Sequence, residues 1–354
     1  MLPRILARAW LGPFTGVLFV VVTILMLGHV RKAAATVGPA LQLLDVAAVM
    51  VGLLPALMTF ALPLAHLIAV VFVMGRMADD GELIAWSAAG VSPLMMARGP
   101  LLLGLGLVAA GLLTTHVAEP AGWRLLQRTL TELATRNLTA GLDEGTVVGA
   151  WGSTVVAVRE AQNGASTAII VHPKLGVILS EKAKFTAKSG RIDIQLERGE
   201  RHSFADKEAQ TYRLARFDRA DGSLDLSSVV EGRIRLLDRD AELSTAALIR
   251  QAHALPSGSP RRLRLTKTAV RRTALPTLAL VFAIVGVAAG YLDRRWRWFA
   301  AMLAVLGFYL LMRLGDAFAA AWPQAVFAAV WGPIIICGGL GLSAMISAGR
   351  KPAR

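Results

Sequence analysis

Six apolar stretches set the layout of the chain, three before a long polar region and three after it. A helix needs about 20 apolar residues to cross the hydrocarbon core of a bilayer, because each residue advances it by about 1.5 Å. The stretches that are long enough cover residues 14–30, 46–74, 100–117, 275–292, 298–319 and 325–346. The pattern therefore predicts an α-helical membrane protein with six transmembrane helices in a three-plus-three layout.

The second apolar stretch is the longest and contains two prolines, Pro55 and Pro63. Proline lacks an amide hydrogen, so it cannot donate the backbone hydrogen bond of a regular helix. We therefore expect the second transmembrane helix to kink or to divide at these residues, where neighbouring helices or water can satisfy the freed carbonyl groups.

The polar region in the middle of the chain has a different period. Short pieces with strand-like composition follow one another, separated by turn residues, at 154–158, 168–172, 176–180, 191–198 and 211–217. In the fourth piece Ile192, Ile194 and Leu196 alternate with polar residues, which places one face on a core and the other in water. Repeated strands without intervening helices predict an antiparallel sandwich or jelly roll, followed by a helix over 242–255.

Basic residues in the short loops set the predicted orientation, because Lys and Arg concentrate on the cytoplasmic side of a membrane. The predicted cytoplasmic side carries Arg4, Arg8, Arg76, Arg98, Arg294, Arg295, Arg297, Arg350, Lys351 and Arg354. The short segments on the other side hold only Arg31, Lys32 and Arg313. We therefore expect both termini in the cytoplasm and the strand-rich domain outside it.

The predicted domain boundaries follow from these patterns. Residues 1–118 hold the first three membrane helices, with a short cytoplasmic helix near 78–90. Residues 119–273 form the β domain with flanking helices, and residues 274–354 hold the last three membrane helices and a short basic cytoplasmic tail.

Charged residues near the predicted outer surface have two interpretations. The basic run at 261–272 lies beside the fourth membrane helix and is either a solvated, lipid-facing tether or a site for an anionic ligand. Its last two residues, Arg271 and Arg272, are candidates for that contact. Arg313 and Asp316, near the end of the fifth stretch, either form an ion pair or extend to the interface separately.

Composition and motifs exclude several classes of function. The 354 residues are 55% hydrophobic with a formal net charge of +14, which in a membrane protein favours anionic lipid headgroups over nucleic acid. A single cysteine, Cys337, excludes an internal disulfide or a thiolate metal cage. No GxxxxGK[ST], HExxH or GxSxG motif is present. We therefore expect no metal, no cofactor and no enzymatic activity in this chain, and any ATP hydrolysis must come from another chain.

The loop between the second and third membrane helices predicts a short cytoplasmic helix. Asp79 or Asp80 can cap its first amides, Gly90 can end it, and Ser92-Pro93 can start the next helix. The helix is either an interfacial one that lies on the lipid or a docking helix for a cytoplasmic partner.

The side chains of this short helix bear on that choice. Leu83 and Trp86 fall along one side at helical spacing, with Glu82 toward the rim. On lipid, Trp86 would serve as the anchor, whereas the acidic residues disfavour close approach to an anionic leaflet. The sequence leaves both interpretations open.

These features together resemble the LptF/LptG family of lipopolysaccharide export permeases, over nearly the whole chain. The motifs that carry the resemblance are Pro3-Arg4, Leu54-Pro55, Leu62-Pro63-Leu64-Ala65, Gly75-Arg76-Met77, Glu82 to Gly90-Val91-Ser92, Glu119-Pro120, Leu196-Glu197-Arg198-Gly199 and Trp331-Gly332-Pro333. Their order, and the layout of three spans, a domain and three spans, match the family pattern.

The resemblance implies a permease subunit of an ABC-type exporter in the bacterial inner membrane. Such a subunit pairs with a second LptF/LptG-type permease and a cytoplasmic ATPase dimer, and passes lipopolysaccharide to a periplasmic jelly-roll bridge protein. Its own inserted domain is a periplasmic jelly roll, and the first and fifth spans form the lipid gates.

The resemblance also implies roles for particular residues. The acidic residue of the loop helix pairs with a basic residue of the ATPase, a role that carries to Glu82, with Asp80, Leu83 and Trp86 around it. In the family, basic residues near the outer end of the first span contact lipid phosphates. The corresponding residues of this chain are Arg31 and Lys32.

A receptor or scaffold without transport activity is the alternative function. In that case the β domain binds a protein partner and the six spans only anchor it. Depletion of the chain would then leave the amount of lipopolysaccharide at the cell surface unchanged. Depletion of an export subunit would lower that amount.

Overall fold

The computed structural model of the chain describes residues 2–37, 43–143, 146–151, 154–160, 166–172, 176–188, 191–204, 212–225 and 239–350. Helices precede and follow a β-sheet. In chain order they are α1 (Leu2–Val37), α2 (Leu43–Asp79), α3 (Glu82–Ala88), α4 (Pro93–Leu113), α5 (Glu119–Asp143), α6 (Thr245–His253), α7 (Pro260–Gly290), α8 (Arg294–Ala321) and α9 (Val326–Arg350).

Six helical segments within these ranges are long and apolar enough to cross a membrane. They are formed by α1, α2, α4 with the start of α5, α7, α8 and α9. The predicted number of membrane-spanning helices is therefore confirmed by length and composition. α2 continues through Pro55 and Pro63, so the second span is not divided at its prolines.

The fourth span is part of a longer helix than the hydropathy predicts. α7 begins at Pro260, directly after Ser259, and continues without a break to Gly290. Proline suits the first position of a helix because its missing amide hydrogen has no partner to lose there. The basic run at 261–272 is consequently helical and rigidly continuous with the fourth span.

The strand-rich region forms one antiparallel sheet whose strands pair in chain order. The strands are β1 (Thr146–Trp151), β2 (Thr154–Glu160), β3 (Ser166–His172), β4 (Gly176–Lys188), β5 (Arg191–Phe204) and β6 (Tyr212–Asp225). In β5, Ile194 and Leu196 are buried while Gln195 and Glu197 are exposed, so the predicted alternation is confirmed at these residues; the side chain of Ile192 lies outside the described part of the chain. The antiparallel β domain is confirmed in this sense, whereas its closure into a jelly roll remains a prediction.

The chain divides into two compact units. One consists of Met1–Gly28, Val51–Trp123 and Arg239–Arg354, and contains most of the spans. The other consists of His29–Met50 and Arg124–Asp238, and contains the sheet.

α2 and α7 form the interior of the first unit. In the most apolar 18-residue segment of α2, 67% of the residues are buried, and in that of α7, 72% are buried. The corresponding share is 11% in α1 and in α8. Small residues allow the close approach: a Cβ on Gly286 would lie 2.8 Å from Cγ1 of Val70, and one on Gly290 only 2.5 Å from Cβ of Met74. Close packing of this kind is how membrane helices associate without a hydrophobic driving force between them.

Replacing Gly290 with alanine should therefore destabilise the protein. The new methyl group meets Cβ of Met74, which cannot move without its backbone, so we expect the free energy of unfolding to fall by about 1–3 kcal/mol. Thermal unfolding in detergent measures this. Gly307→Ala is the matched control, since no atom lies within 4 Å of a Cβ there. Equal stability of the two variants would contradict the proposed contact.

Candidate functional site

The turn between α2 and α4 is built by glycine at both ends of α3. Gly81, with φ 76°, precedes the helix, and Gly90, with φ 80°, follows it. The amide of Gly90 donates to the carbonyl of Ser87 and that of Val91 to the carbonyl of Trp86, each at 3.0 Å. This double hydrogen bond is the Schellman arrangement, which needs a residue that tolerates the left-handed conformation. The predicted short helix, and its end at Gly90, are confirmed.

The prediction that Asp79 or Asp80 caps α3 is wrong. The residue before the helix is Gly81, and no side chain caps the first amides. Asp80 instead lies 3.5 Å from Nε of Arg76, one turn earlier on α2. Ser92 does cap α4 as predicted, because its hydroxyl accepts a hydrogen bond from the amide of Met95 at 3.3 Å.

α3 has one buried face and one exposed face. Leu83 is 5% exposed and belongs to a cluster that includes Trp10, Phe14 and Met96. Glu82 is exposed and Ile84 is 48% exposed, while Trp86, one turn after Leu83, is 36% exposed at the edge of the buried face. Leu83 therefore anchors the helix to the protein, and a surface of mixed acidic and apolar character is left open.

A buried arginine holds the last turn of α2 to the start of α8. Arg297 is 4% exposed, and its Nη1 donates to the carbonyl of Gly75 at 2.9 Å and to Oδ1 of Asp79 at 3.3 Å. A Cβ at position 75 would lie 2.7 Å from the same Nη1, so only glycine leaves room for it. The carbonyl end of a helix attracts cations, and here the cation comes from another span.

The sequence did not predict the role of Arg297, which was expected only as one of the cytoplasmic basic residues. A local signal was present, since Gly75 lies within the last turns of a long apolar helix where glycine costs stability. A close approach from outside the helix explains such a residue, although the sequence does not show which side chain approaches.

A tyrosine lies beside this arrangement. The hydroxyl of Tyr291, at the end of α7, donates to Sδ of Met96 on α4 at 3.1 Å. Both residues lie against or within the cluster that buries Leu83. The C-terminal ends of α2 and α7 and the N-terminal end of α4 therefore contribute to the apolar cluster that buries Leu83 of α3.

The basic residues predicted to contact lipid differ in their surroundings. Arg31 and Lys32 belong to α1, but their side chains lie outside the described part of the chain. Arg272 is 3% exposed, and its guanidinium donates to the carbonyls of Ala241 and Leu243 at 2.6 Å each. Its role in this conformation is to hold the turn before α6, and we no longer assign it to a lipid phosphate.

Arg271 and Asp316 form a second ion pair between spans. Nη2 of Arg271 lies 2.6 Å from Oδ1 of Asp316, and Nζ of Lys267 lies 3.3 Å from the same oxygen. Arg313 instead lies over the ring of Tyr309, with its Nε 3.0 Å from the hydroxyl. The carboxylate near the end of the fifth span therefore pairs across to α7, and of the two interpretations of Arg313 and Asp316 the ion pair is not the one observed.

Loss of the Arg297 contacts should cost stability. Arg297→Met keeps much of the buried volume but leaves the carbonyl of Gly75 without this donor, so we expect the free energy of unfolding to fall by about 1–3 kcal/mol. Arg295→Met, on the exposed side of the same helical turn, should change it by less than about 0.5 kcal/mol. Thermal unfolding of the two purified variants compares them, and similar losses would rule out a specific role for Arg297.

Comparison with known proteins identifies the family of the chain. A profile of the family described as "Lipopolysaccharide export system permease LptF/LptG" matches residues 4–347. A search of curated proteins gave no match. The family is a transport family, and its members serve an export complex together with other Lpt components. The chain thus belongs to the LptF/LptG family and is a multi-pass inner-membrane permease of lipopolysaccharide export.

Proposed function

We propose that the chain is one of two permease subunits of an ABC-type exporter, paired with a second LptF/LptG-type permease. It extracts lipopolysaccharide from the inner membrane and passes it to a periplasmic jelly-roll bridge protein, while a cytoplasmic ATPase dimer supplies the energy. The observation that carries the proposal is the exposed face of α3 on a chain of this family: the chain offers a docking surface but contains no phosphate-binding loop of its own.

The proposed docking surface consists of Glu82, Asp80, Ile84 and Trp86. Exposed apolar and aromatic side chains beside a carboxylate suit a protein groove with a basic residue. A lipid leaflet is a poorer partner because its anionic headgroups repel the carboxylates. Leu83 is buried beneath this surface and does not contact the partner.

The lipid path is proposed to follow α1 and α8. Only 11% of the most apolar window of each helix is buried, so both carry large apolar surfaces that other molecules must cover. On α8 these surfaces include Met302, Leu306 and Leu310, each about 60% exposed. We propose that lipid acyl chains and the second permease cover these apolar surfaces.

The proposed orientation places both termini in the cytoplasm and residues 119–273 in the periplasm. A jelly roll completed around the antiparallel sheet would give the bridge protein a matching β domain to contact. Arg31 and Lys32, predicted at the outer end of the first span, would then meet the phosphates of lipopolysaccharide, since both side chains carry a positive charge.

Charge reversal at the docking surface should separate the permease from its ATPase. In the variant Glu82→Lys with Trp86→Ala, a basic pocket meets a lysine and loses an aromatic anchor, so we expect at least a tenfold loss of co-purified ATPase. The measurement is a pull-down from membranes on the tagged permease, with the bound ATPase quantified against the second permease.

Glu132→Lys provides the control, because Glu132 is exposed on α5 and outside the proposed surface. It should retain the ATPase at the wild-type level. Retention of the ATPase by the Glu82 and Trp86 variant as well would show that α3 is not the docking helix.

A further inference from the structure

One carboxylate and two cations lie at the contact between α7 and α8. The Oδ1 atom of Asp316 is 2.6 Å from Nη2 of Arg271 and 3.3 Å from Nζ of Lys267. All three side chains are between 27% and 29% exposed. The cluster is thus neither sealed in the interior nor fully hydrated, and a ligand can reach it.

The position of the cluster along α8 places it at one boundary of the membrane. From Arg297 to Asp316 the helix rises by about 28 Å, since each residue adds about 1.5 Å. This is close to the hydrocarbon thickness of about 30 Å. With Arg297 at the inner boundary, Asp316 lies at the level of the outer headgroups.

The cations are only partly satisfied by Asp316. Two positive charges share one negative charge, so the cluster keeps a net charge of +1. The Nε of Arg271 is buried and has no hydrogen-bond acceptor in the described part of the chain. Arginine can bind an oxyanion through two parallel hydrogen bonds, but here only Nη2 of its fork reaches the carboxylate.

A phosphate group fits these donors better than the carboxylate does. It carries three terminal oxygens and up to two negative charges, so it can engage Nε and Nη2 of Arg271 together with the ammonium of Lys267. At the outer headgroup level, the phosphates of an anionic lipid supply this chemistry.

We propose that Asp316 occupies a phosphate site, and that a phosphate of an anionic lipid displaces it from Lys267 and Arg271. The exchange releases the outer end of α8 from α7. In the absence of the lipid the carboxylate closes the site, and it acts as an internal competitor. This inference rests on the proposed lipid export function and adds to it a binding site and its regulation.

Removal of the competitor should strengthen lipid binding. The test uses the permease assembled with its proposed partners in nanodiscs without nucleotide, and titrates it with diphosphorylated lipid A. Asp316→Asn should bind about three- to tenfold more tightly than the wild type, because the cations lose a partner that a ligand must displace. If the carboxylate of Asp316 has only a structural role, Asp316→Asn should bind lipid A as tightly as the wild type or more weakly. That result would overturn the inference.

Two further variants separate competition from a change in folding. Lys267→Gln with Arg271→Gln should weaken binding about tenfold, and adding Asp316→Asn to this pair should give no gain. Asp293→Asn makes the same chemical change at the other end of α8 and should bind like the wild type. A gain from Asp316→Asn that persists without the two cations would contradict competition at this site.

The source of the phosphate is tested in the same assay. Inorganic phosphate at an equal phosphate concentration should leave lipid A binding unchanged, and equal competition would overturn the assignment to a lipid. If the wild type fails to bind lipid A at all, the proposed export function fails. If it binds and Asp316→Asn changes nothing, only the inference about Asp316 fails.

Discussion

Charges and backbone polar groups must find partners at the edges of a hydrocarbon layer, and the fifth span meets this requirement at two points. Arg297 binds Gly75 and Asp79 near one end of α8, and Asp316 binds Arg271 and Lys267 near the other. The helix between these points is largely apolar, and few of its residues are buried. α8 is therefore held to its own chain by two polar contacts about one bilayer thickness apart, in addition to a narrow apolar face that includes Ala301, Phe308 and Ala319.

This arrangement explains how a docking surface and a lipid-facing helix can be linked within the proposed exporter. Asp79 ends α2, and the docking helix α3 begins three residues later at Glu82. Leu83 fixes α3 to the core, while Arg297 fixes the same end of α2 to α8. A displacement of α3 by an ATPase would thus act directly on the first turn of α8, where Arg297 lies. In the proposed exchange, the contact of Asp316 with Arg271 and Lys267 would decide whether the other end of α8 follows.

Much of the fold could be predicted from the sequence because it depends on local patterns. Apolar length predicts the six spans, alternation at Ile194 and Leu196 predicts the sheet, and Gly90 with Ser92 predicts the end of one helix and the start of the next. These features are set by neighbouring residues along the chain. The family follows from their order.

The contacts between distant residues could not be predicted in this way. Arg297 and Arg295 are neighbours with the same chemistry, and only the folded chain buries one and exposes the other. Asp316 lies three residues from Arg313, yet its partners come from α7, 49 and 45 residues earlier. Arg272 is turned inward while Arg271 reaches Asp316, since successive residues on a helix point in different directions.

The release of one end of α8 is most directly tested by distances between spin labels in the assembled exporter. With Cys337 replaced by alanine, one label pair at Arg264 and Phe318 reports the outer contact, and a second pair at Arg76 and Trp298 reports the inner one; all four positions are exposed. Diphosphorylated lipid A should lengthen or broaden the outer distance and leave the inner distance unchanged. An outer distance that is the same with and without lipid A would contradict the account.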